Sequence, residues 1–175
     1  MRKFLFLFSL SIVCLLKSQI ATASNLNKDT SIRRVISTFM DCIVHHDSVK
    51  FYSLFHTDPV TWVGVFDEAS QAAELKKNPQ DTLNSFHSNY KSFYRSLSKK
   101  GFDEEKFYNI FIQQNDVVAT VIFDYSFWHE GKKQNWGKET WGLIKANGTW
   151  KITSVIFSLE MENVKPEPKT NRAKY

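Results

Sequence analysis

Histidine and tyrosine are the side chains of this sequence best suited to proton transfer near neutral pH. His87, Tyr90 and Tyr94 fall in one short stretch, and Tyr125 directly follows Asp124. Because neighbouring strand residues face opposite sides of a sheet, only one of Asp124 and Tyr125 can line a shared site. His87 with Tyr125 is our candidate acid–base pair. The alternative is structural: His87 bonded to a backbone carbonyl and Tyr125 in the core with its hydroxyl satisfied.

The sequence contains no signature of a metal site, a cofactor site or an activated nucleophile. His45, His46, His56 and His129 show no metal-ligand spacing. The sequence contains no glycine-rich phosphate loop and no Gly-x-Ser-x-Gly elbow. We therefore predict no metal and no cofactor.

The start of the chain has the layout of a secretory signal peptide. Arg2 and Lys3 precede an apolar run over residues 4–16, and Ala21-Thr22-Ala23 is a small-residue cleavage sequence. The run is too short to span a membrane, which takes roughly 20 apolar residues. We predict a signal peptide over residues 1–23, cleavage after Ala23, a secreted or periplasmic protein, and no stable membrane anchor afterwards.

The charge of the exported chain argues against nucleic acid as a partner. The formal net charge of +5 falls to +2 without the three basic residues of the signal peptide. The remaining excess lies at the C-terminus, where residues 163–175 are predicted to form a disordered basic tail. A neutral domain does not suit nucleic acid, which needs a basic face. Cys42 is the one cysteine left, and we expect it to be a buried, inert thiol.

Apolar residues at three- and four-residue spacing predict a helix at the start of the domain. They are Ile32, Val35, Ile36, Phe39, Met40, Ile43 and Val44. A break and a new cap near Asp47 introduce a short second helix over residues 48–55, which ends before Pro59. Residues 60–66 are β-branched and aromatic and predict a strand, in which Gly64 indicates a bulge or a close backbone approach.

The polar composition of residues 67–81 predicts a long loop, which is a candidate lid. Residues 80–99 are predicted to form a long helix with one apolar face, made by Leu83, Phe86, Tyr90, Phe93 and Leu97. Four strands follow, and Asn147-Gly148 is a hairpin signal between the last two. Helices gathered before a run of antiparallel strands predict an α+β domain.

Two stretches resemble the nuclear-transport-factor-2-like superfamily, which includes SnoaL-like proteins, ketosteroid isomerases and scytalone dehydratase. "DSVKFYSLFHTDPVTWVGVF" is similar to the family's second helix, acidic turn and first strand, and "GKETWGLIKANGTWKITSVIFS" to its later strands, turn and closing serine. The resemblance covers roughly residues 32–161 and assigns residues 24–162 to one domain. It implies N-terminal helices packed on a strongly curved, mostly antiparallel sheet, forming a cone with an internal cavity. It specifies no activity, since the fold hosts enzymes, binders and assembly modules.

The resemblance also implies which side chains line that cavity. The implied lining is Val63, Phe86, Tyr90, Tyr94, Phe123, Tyr125 and Phe127. The base, tyrosine and second acid of a ketosteroid isomerase align with Val63, Phe39 and the neighbourhood of Gly142. None of these side chains transfers a proton, so isomerase chemistry of that kind is not expected.

The opposite face of the sheet is expected to be apolar and to pair with a second copy of the chain. Large exposed apolar patches usually mark interfaces, and members of the family commonly pair sheet to sheet. We predict a homodimer whose interface contains Ile122, Trp128, Trp141 and Leu143. The alternative is that a loop or the tail covers this face.

These observations favour an exported, non-catalytic domain that binds a small, mostly apolar or aromatic ligand in its cavity. Two alternatives stay open. One is a dehydratase- or isomerase-type enzyme that uses His87 and Tyr125. The other is a protein-interaction module in which the cavity is filled core.

Overall fold

The computed structural model describes residues 30–57, 59–97 and 101–169. It contains two compact units, one ending at Ile36 and the other beginning at Ser37. The described part of the first unit is helical, and its Ile32 and Ile36 are buried. The predicted signal peptide lies outside the described residues. Within the described ranges, no helix is long and apolar enough to cross a membrane.

Helices come first in the described chain and long strands follow. The helices are α1 (residues 30–44), α2 (Ser48–Ser53), α3 (Glu68–Lys77) and α4 (Tyr90–Ser96). The strands are β1 (Thr61–Phe66), β2 (Ser85–His87), β3 (Asp103–Gln114), β4 (Val118–His129), β5 (Lys132–Ala146) and β6 (Thr149–Met161). They form one sheet in the order β2-β1-β6-β5-β4-β3, in which only β1 and β6 are parallel neighbours. The predicted α+β class with a mostly antiparallel sheet is confirmed.

Helix α3 replaces the predicted lid loop, so that prediction is wrong. Asp67 begins the helix by accepting a hydrogen bond from the backbone N–H of Ser70 at 3.0 Å. Ser70 is also its only buried residue. The helix therefore has no apolar stripe for periodicity to reveal, although its alanine, glutamate and lysine residues favour helix.

The predicted long helix over residues 80–99 is also wrong. Its first part contains strand β2, which pairs with β1, and helix α4 begins only at Tyr90. Asn89 starts α4 by accepting a hydrogen bond from the backbone N–H of Ser92 at 2.9 Å. The helical spacing of the apolar residues on both sides of Asn89 concealed this boundary.

The two-residue turns on either side of β5 follow from their sequences. Asn147 and Gly148 have φ values of 49° and 77°, both in the left-handed region that such a hairpin turn requires. The predicted hairpin is confirmed. Glu130 and Gly131, with φ values of 49° and 71°, form a second turn between β4 and β5.

Aromatic side chains pack against one face of the sheet, which we call the inner face. The Phe39 ring lies 4.9 Å from the Trp141 ring and 5.6 Å from the Phe107 ring, measured between centroids. Phe123 lies 4.3 Å from Phe107 and 5.1 Å from Trp141. All four side chains are buried, so this cluster is the centre of the core.

Trp141 and Leu143 belong to the inner face, and the prediction that they face a second copy is wrong. Trp141 pairs with Val121, and directly paired residues of neighbouring strands share a face. Val121 is fully buried, as is Trp141. Ile122 and Trp128 do lie on the opposite, outer face.

The end of the chain covers part of that outer face. The Trp136 indole N–H donates to the carbonyl oxygen of Lys165 at 2.8 Å. The Glu167 carboxylate accepts a hydrogen bond from the Tyr108 hydroxyl and pairs with the Lys133 ammonium group. Residues 163–169 thus differ from the expectation of a disordered tail, while residues 170–175 lie outside the described residues.

Candidate functional site

A cavity of about 490 Å³ lies between the inner face of the sheet and helix α4. Aromatic rings make most of its wall, and serine, asparagine, tyrosine and glutamate side chains supply the polar groups. The aromatic wall comprises Phe39, Trp62, Phe86, Phe93, Tyr125, Phe127 and Phe157. Helix α4 contributes Ser92, Phe93 and Ser96.

Gly64 makes room for two of these rings. A Cβ at this position would lie 2.3 Å from the Phe86 ring and 2.8 Å from the Phe157 ring. The close approach predicted from this glycine is confirmed. Because Gly64 and Trp62 face the cavity, Val63 between them points away from it, and the prediction that Val63 lines the cavity is wrong.

The same alternation places His87 outside the cavity. Phe86 pairs with Gly64 and points inward, so His87, the next residue of β2, faces the other way and is exposed. Tyr125 does line the cavity. The predicted acid–base pair of His87 and Tyr125 therefore does not form.

Three more of the expected lining residues do not line this cavity: Tyr90 and Phe123 are buried in the core, and Tyr94 is half-buried beside a second, smaller cavity. The Tyr90 ring stacks on Phe55 with centroids 4.2 Å apart. The Tyr94 hydroxyl donates to the carbonyl oxygen of Cys42 at 3.2 Å, and burial raises the pKa of Tyr94 to about 12. Phe123 is fully buried within the central cluster. Cys42 is free and buried, which confirms its expected burial, and burial raises its pKa to about 11.

Two glutamates that the sequence analysis did not single out bring carboxyl groups to the cavity wall. Glu105 of β3 is 7% exposed and Glu139 of β5 is 4% exposed. Glu105 pairs with Phe127 and Glu139 with Phe123, so the two acids lie on either side of Tyr125 on the inner face. Glu139 precedes Trp141 by two positions, and the correct face for Trp141 would have revealed it.

The two carboxyl groups differ in their hydrogen bonds. The Trp141 indole N–H donates to Oε1 of Glu139 at 2.5 Å. The Glu105 carboxyl group has no hydrogen bond or ion pair with a described residue, although it lies in the cavity wall. An unpartnered buried carboxyl group is unfavourable unless it stays protonated or meets a ligand.

Burial changes the protonation of both acids. It raises the pKa of Glu139 to about 8, against the opposing effect of the Trp141 hydrogen bond. Burial, followed by the charge of Glu139, raises the pKa of Glu105 well above its usual range. At neutral pH Glu139 is therefore mainly protonated, and burial shifts Glu105 in the same direction.

Tyr125 is a fixed part of the wall. Its hydroxyl donates to the carbonyl oxygen of Ser158 at 2.9 Å, as in the structural alternative for this residue. Burial, and then the charges of Glu139 and Glu105, raise the pKa of Tyr125 well above its usual range. Tyr125 therefore stays protonated at neutral pH.

A histidine–carboxylate pair lies further along the same strands. Nδ1 of His129 is 2.6 Å from Oδ1 of Asp103, which is buried. These residues pair across β3 and β4, one inner-face position beyond Glu105 and Phe127. Neither lines the cavity, so the pair lies outside the candidate site.

Comparisons with solved structures give the same architecture at low sequence identity. A protein of Novosphingobium aromaticivorans DSM 12444 described as "Putative Scytalone Dehydratase" is 16% identical, with a TM-score of 0.60 over 80% of this chain and 89% of its own. An NTF2-like protein of unknown function from Shewanella baltica OS155 is 12% identical, with a TM-score of 0.53 over 77% and 95%.

The chain has the nuclear-transport-factor-2-like fold. The resemblance drawn from the sequence is therefore confirmed at the level of the fold. A third similar structure, the beta subunit of a "putative aromatic-ring-hydroxylating dioxygenase" from N. aromaticivorans, is 11% identical with a TM-score of 0.59 over 79% and 92% of the two chains. No family model and no curated protein sequence matches the chain.

Proposed function

We propose that this NTF2-like domain binds a small, mostly apolar ligand in the cavity whose wall includes Glu105 and Glu139. The observation that carries the proposal is an aromatic cavity of about 490 Å³ with a few polar groups in its wall. Sites for small molecules commonly have this size and this composition. Open space of that volume does not favour the alternative of an interaction module with a filled core.

A neutral aromatic probe tests the cavity directly. Naphthylmethanol is expected to raise the melting temperature of the protein in proportion to its occupancy of the site. The variant Ser96→Phe places a ring in the cavity from helix α4 and is expected to abolish this shift. Lys91→Phe adds the same ring on the exposed side of the same helix and should leave it intact. Equal shifts in both variants would place the probe elsewhere and refute the proposal.

A proton-transfer enzyme is the second candidate, favoured by the buried acid pair. Two carboxyl groups in different environments can serve as acid and base, and Glu139 titrates at about 8. Glu139 would then take the role first assigned to His87, in keeping with the dehydratase description of one structural neighbour. This candidate predicts turnover of the bound compound, lost in Glu139→Gln while binding persists.

We further propose that the chain is exported, with cleavage after Ala23, and that it forms a homodimer through the outer face. Ile122 lies there directly opposite Phe111 and on the same face as Val118 and Ile156; the exposed fractions of these three are 62%, 51% and 46%. Exposed apolar patches of this kind support association.

Native mass spectrometry of protein recovered from an exporting host tests both the cleavage after Ala23 and the homodimer. The expected species is a dimer of chains that begin at Ser24, and extra mass would identify a bound ligand. A chain that still carries residues 1–23 would contradict export with cleavage, and a monomer at micromolar concentration would contradict the dimer.

A further inference from the structure

We propose that the cavity is selective for organic cations, and that its ligand carries an ammonium group held by Glu105 and Glu139 on a flat apolar body. This inference deepens the proposed ligand-binding function and rests on it. It names the chemical class of the ligand at the same site.

Among the described residues, the two charged groups in the cavity wall are both acidic. Glu105 and Glu139 line it, whereas no lysine, arginine or histidine among the described residues does so. Two buried acids with no basic partner repel each other when both are ionised. A cation placed between them would remove this repulsion, and an anionic ligand would increase it.

The Glu105 carboxyl group is the strongest sign of a missing ligand. The Glu105 residue is more than nine-tenths buried, and its carboxyl oxygens, which have no hydrogen-bond partner among the described side chains, are open to the cavity. Buried polar groups are almost always satisfied by protein, water or ligand. An ammonium group has only donors to offer, which matches a Glu139 carboxylate and the carbonyl oxygen of the Glu105 carboxyl group.

The aromatic wall suits the same class of ligand. Trp62 and Phe93 line the cavity with their ring centroids 5.1 Å apart, and Phe39 lies 6.2 Å from Phe93. The faces of such rings attract organic cations, and tryptophan does so most strongly. The wall can therefore hold a flat apolar body and contribute to binding its charge.

Binding of an ammonium ion must release a proton from the site. Glu139 is mainly protonated at neutral pH, since its pKa is about 8. Its O–H bond breaks, the proton passes to solvent, and the resulting carboxylate accepts an N–H of the ammonium group. Affinity should therefore rise about tenfold per pH unit up to the pKa of Glu139 and then level off.

The other titratable groups around Glu139 do not reverse the expected increase of affinity with pH. Glu105 on β3 has a raised pKa for the same reasons, and Tyr125 on β4 stays protonated. Glu160 on β6 adds a further acid close to Tyr125. Helix α4, β1, β2 and Phe39 present only uncharged side chains to the cavity. The pair of Asp103 and His129 lies beyond its wall.

Calorimetric titration with two isosteric probes tests the inference. At about pH 8, naphthylmethylamine is expected to bind at least tenfold more tightly than naphthylmethanol, as charge-assisted hydrogen bonds require. Its affinity should increase from pH 6 to pH 8. At pH 6, heats measured in buffers of different ionisation enthalpy should show release of about one proton from Glu139. The affinity of the alcohol should not rise over this range.

Three variants give the controls. Glu105→Gln should reduce the preference for the amine, and Glu139→Gln should also remove the pH dependence. Glu104→Gln, on the outer face beside Glu105, should change neither. Equal affinities for amine and alcohol, or amine binding that weakens as pH rises, would overturn the cation inference and leave the proposed function in place. Binding of neither probe would refute the proposed function itself.

Discussion

The free energy of unfolding is expected to fall steadily as the pH rises from about 5 to about 8. The cause is Glu139, whose usual pKa of 4.5 is raised to about 8 by burial. Between these values the folded protein holds a proton that the unfolded chain has lost, so each rise in pH favours unfolding. The stabilisation is fully present below the unfolded pKa and is lost as the pH passes through the folded pKa. The slope for one such group is roughly 1.4 kcal/mol per pH unit.

Urea denaturation at several pH values measures this slope, and two substitutions assign it. Glu139→Gln can still accept the Trp141 hydrogen bond but cannot titrate, so it should reduce the slope by roughly 1.4 kcal/mol per pH unit. Glu105→Gln should reduce it further, because the pKa of Glu105 is raised as well. Glu104→Gln serves as the control on the outer face. A slope that Glu139→Gln leaves unchanged would mean that Glu139 is ionised in the folded state.

The prediction of the fold from sequence succeeded where apolar spacing and turn chemistry agreed. The long strands and the Asn147-Gly148 hairpin carried both signals. The region between β1 and β3 carried neither clearly. Helix α3 has no apolar stripe, and Phe86 of β2 happens to lie at helical spacing from Tyr90 of α4. Residues 85–87 form a strand and not a helix because they pair with β1, and local periodicity contains no information about that tertiary pairing.

Phe86, Tyr125 and Phe127 were correctly predicted to line the cavity, but two errors in the assignment of faces concealed the rest of the candidate site. Alternation fixes which residues of a strand share a face, but it does not say which face is buried. On β5 the wrong face was taken as the buried one, so Trp141 was assigned to the outer face and Glu139 was not recognised as a cavity residue. On β1 it placed Val63 in the cavity instead of Trp62. Cross-strand register settles both choices. On β5, Trp141 pairs with the buried Val121. On β1, Gly64 pairs with Phe86, which lines the cavity.

The face assignment also changes what kind of chemistry the cavity can support. A cavity lined by His87 would have offered an imidazole as acid or base. The observed wall offers Glu105 and Glu139, whose acidity depends on exclusion of water. Any compound that fills the cavity must therefore pair with these acids or leave them protonated, and this requirement links ligand binding to the pH dependence of stability.

The substitution Glu167→Ala is expected to destabilise the protein by roughly 3–5 kcal/mol, a large effect for a position near the end of the chain. The side chains of Glu167 and Lys133 are 1% and 5% exposed, so removal of the carboxylate leaves a buried ammonium group. Glu162 is the nearest remaining acid, with its oxygen 3.7 Å from the Lys133 nitrogen. The Tyr108 hydroxyl loses its acceptor on Glu167 at the same time.

A second substitution separates the ion pair from simple loss of packing. Lys133→Met in the Glu167→Ala background removes the buried ammonium group and should recover a large part of the lost stability, because the cost comes from a buried ion left with only the longer contact to Glu162. Lys169→Ala, at an exposed position two residues further on, should change the free energy of unfolding by less than about 0.5 kcal/mol. If Glu167→Ala were as mild as Lys169→Ala in urea denaturation, residues 163–169 would not hold the outer face in solution. The outer surface available for pairing with a second copy would then extend over Trp136 and Tyr108.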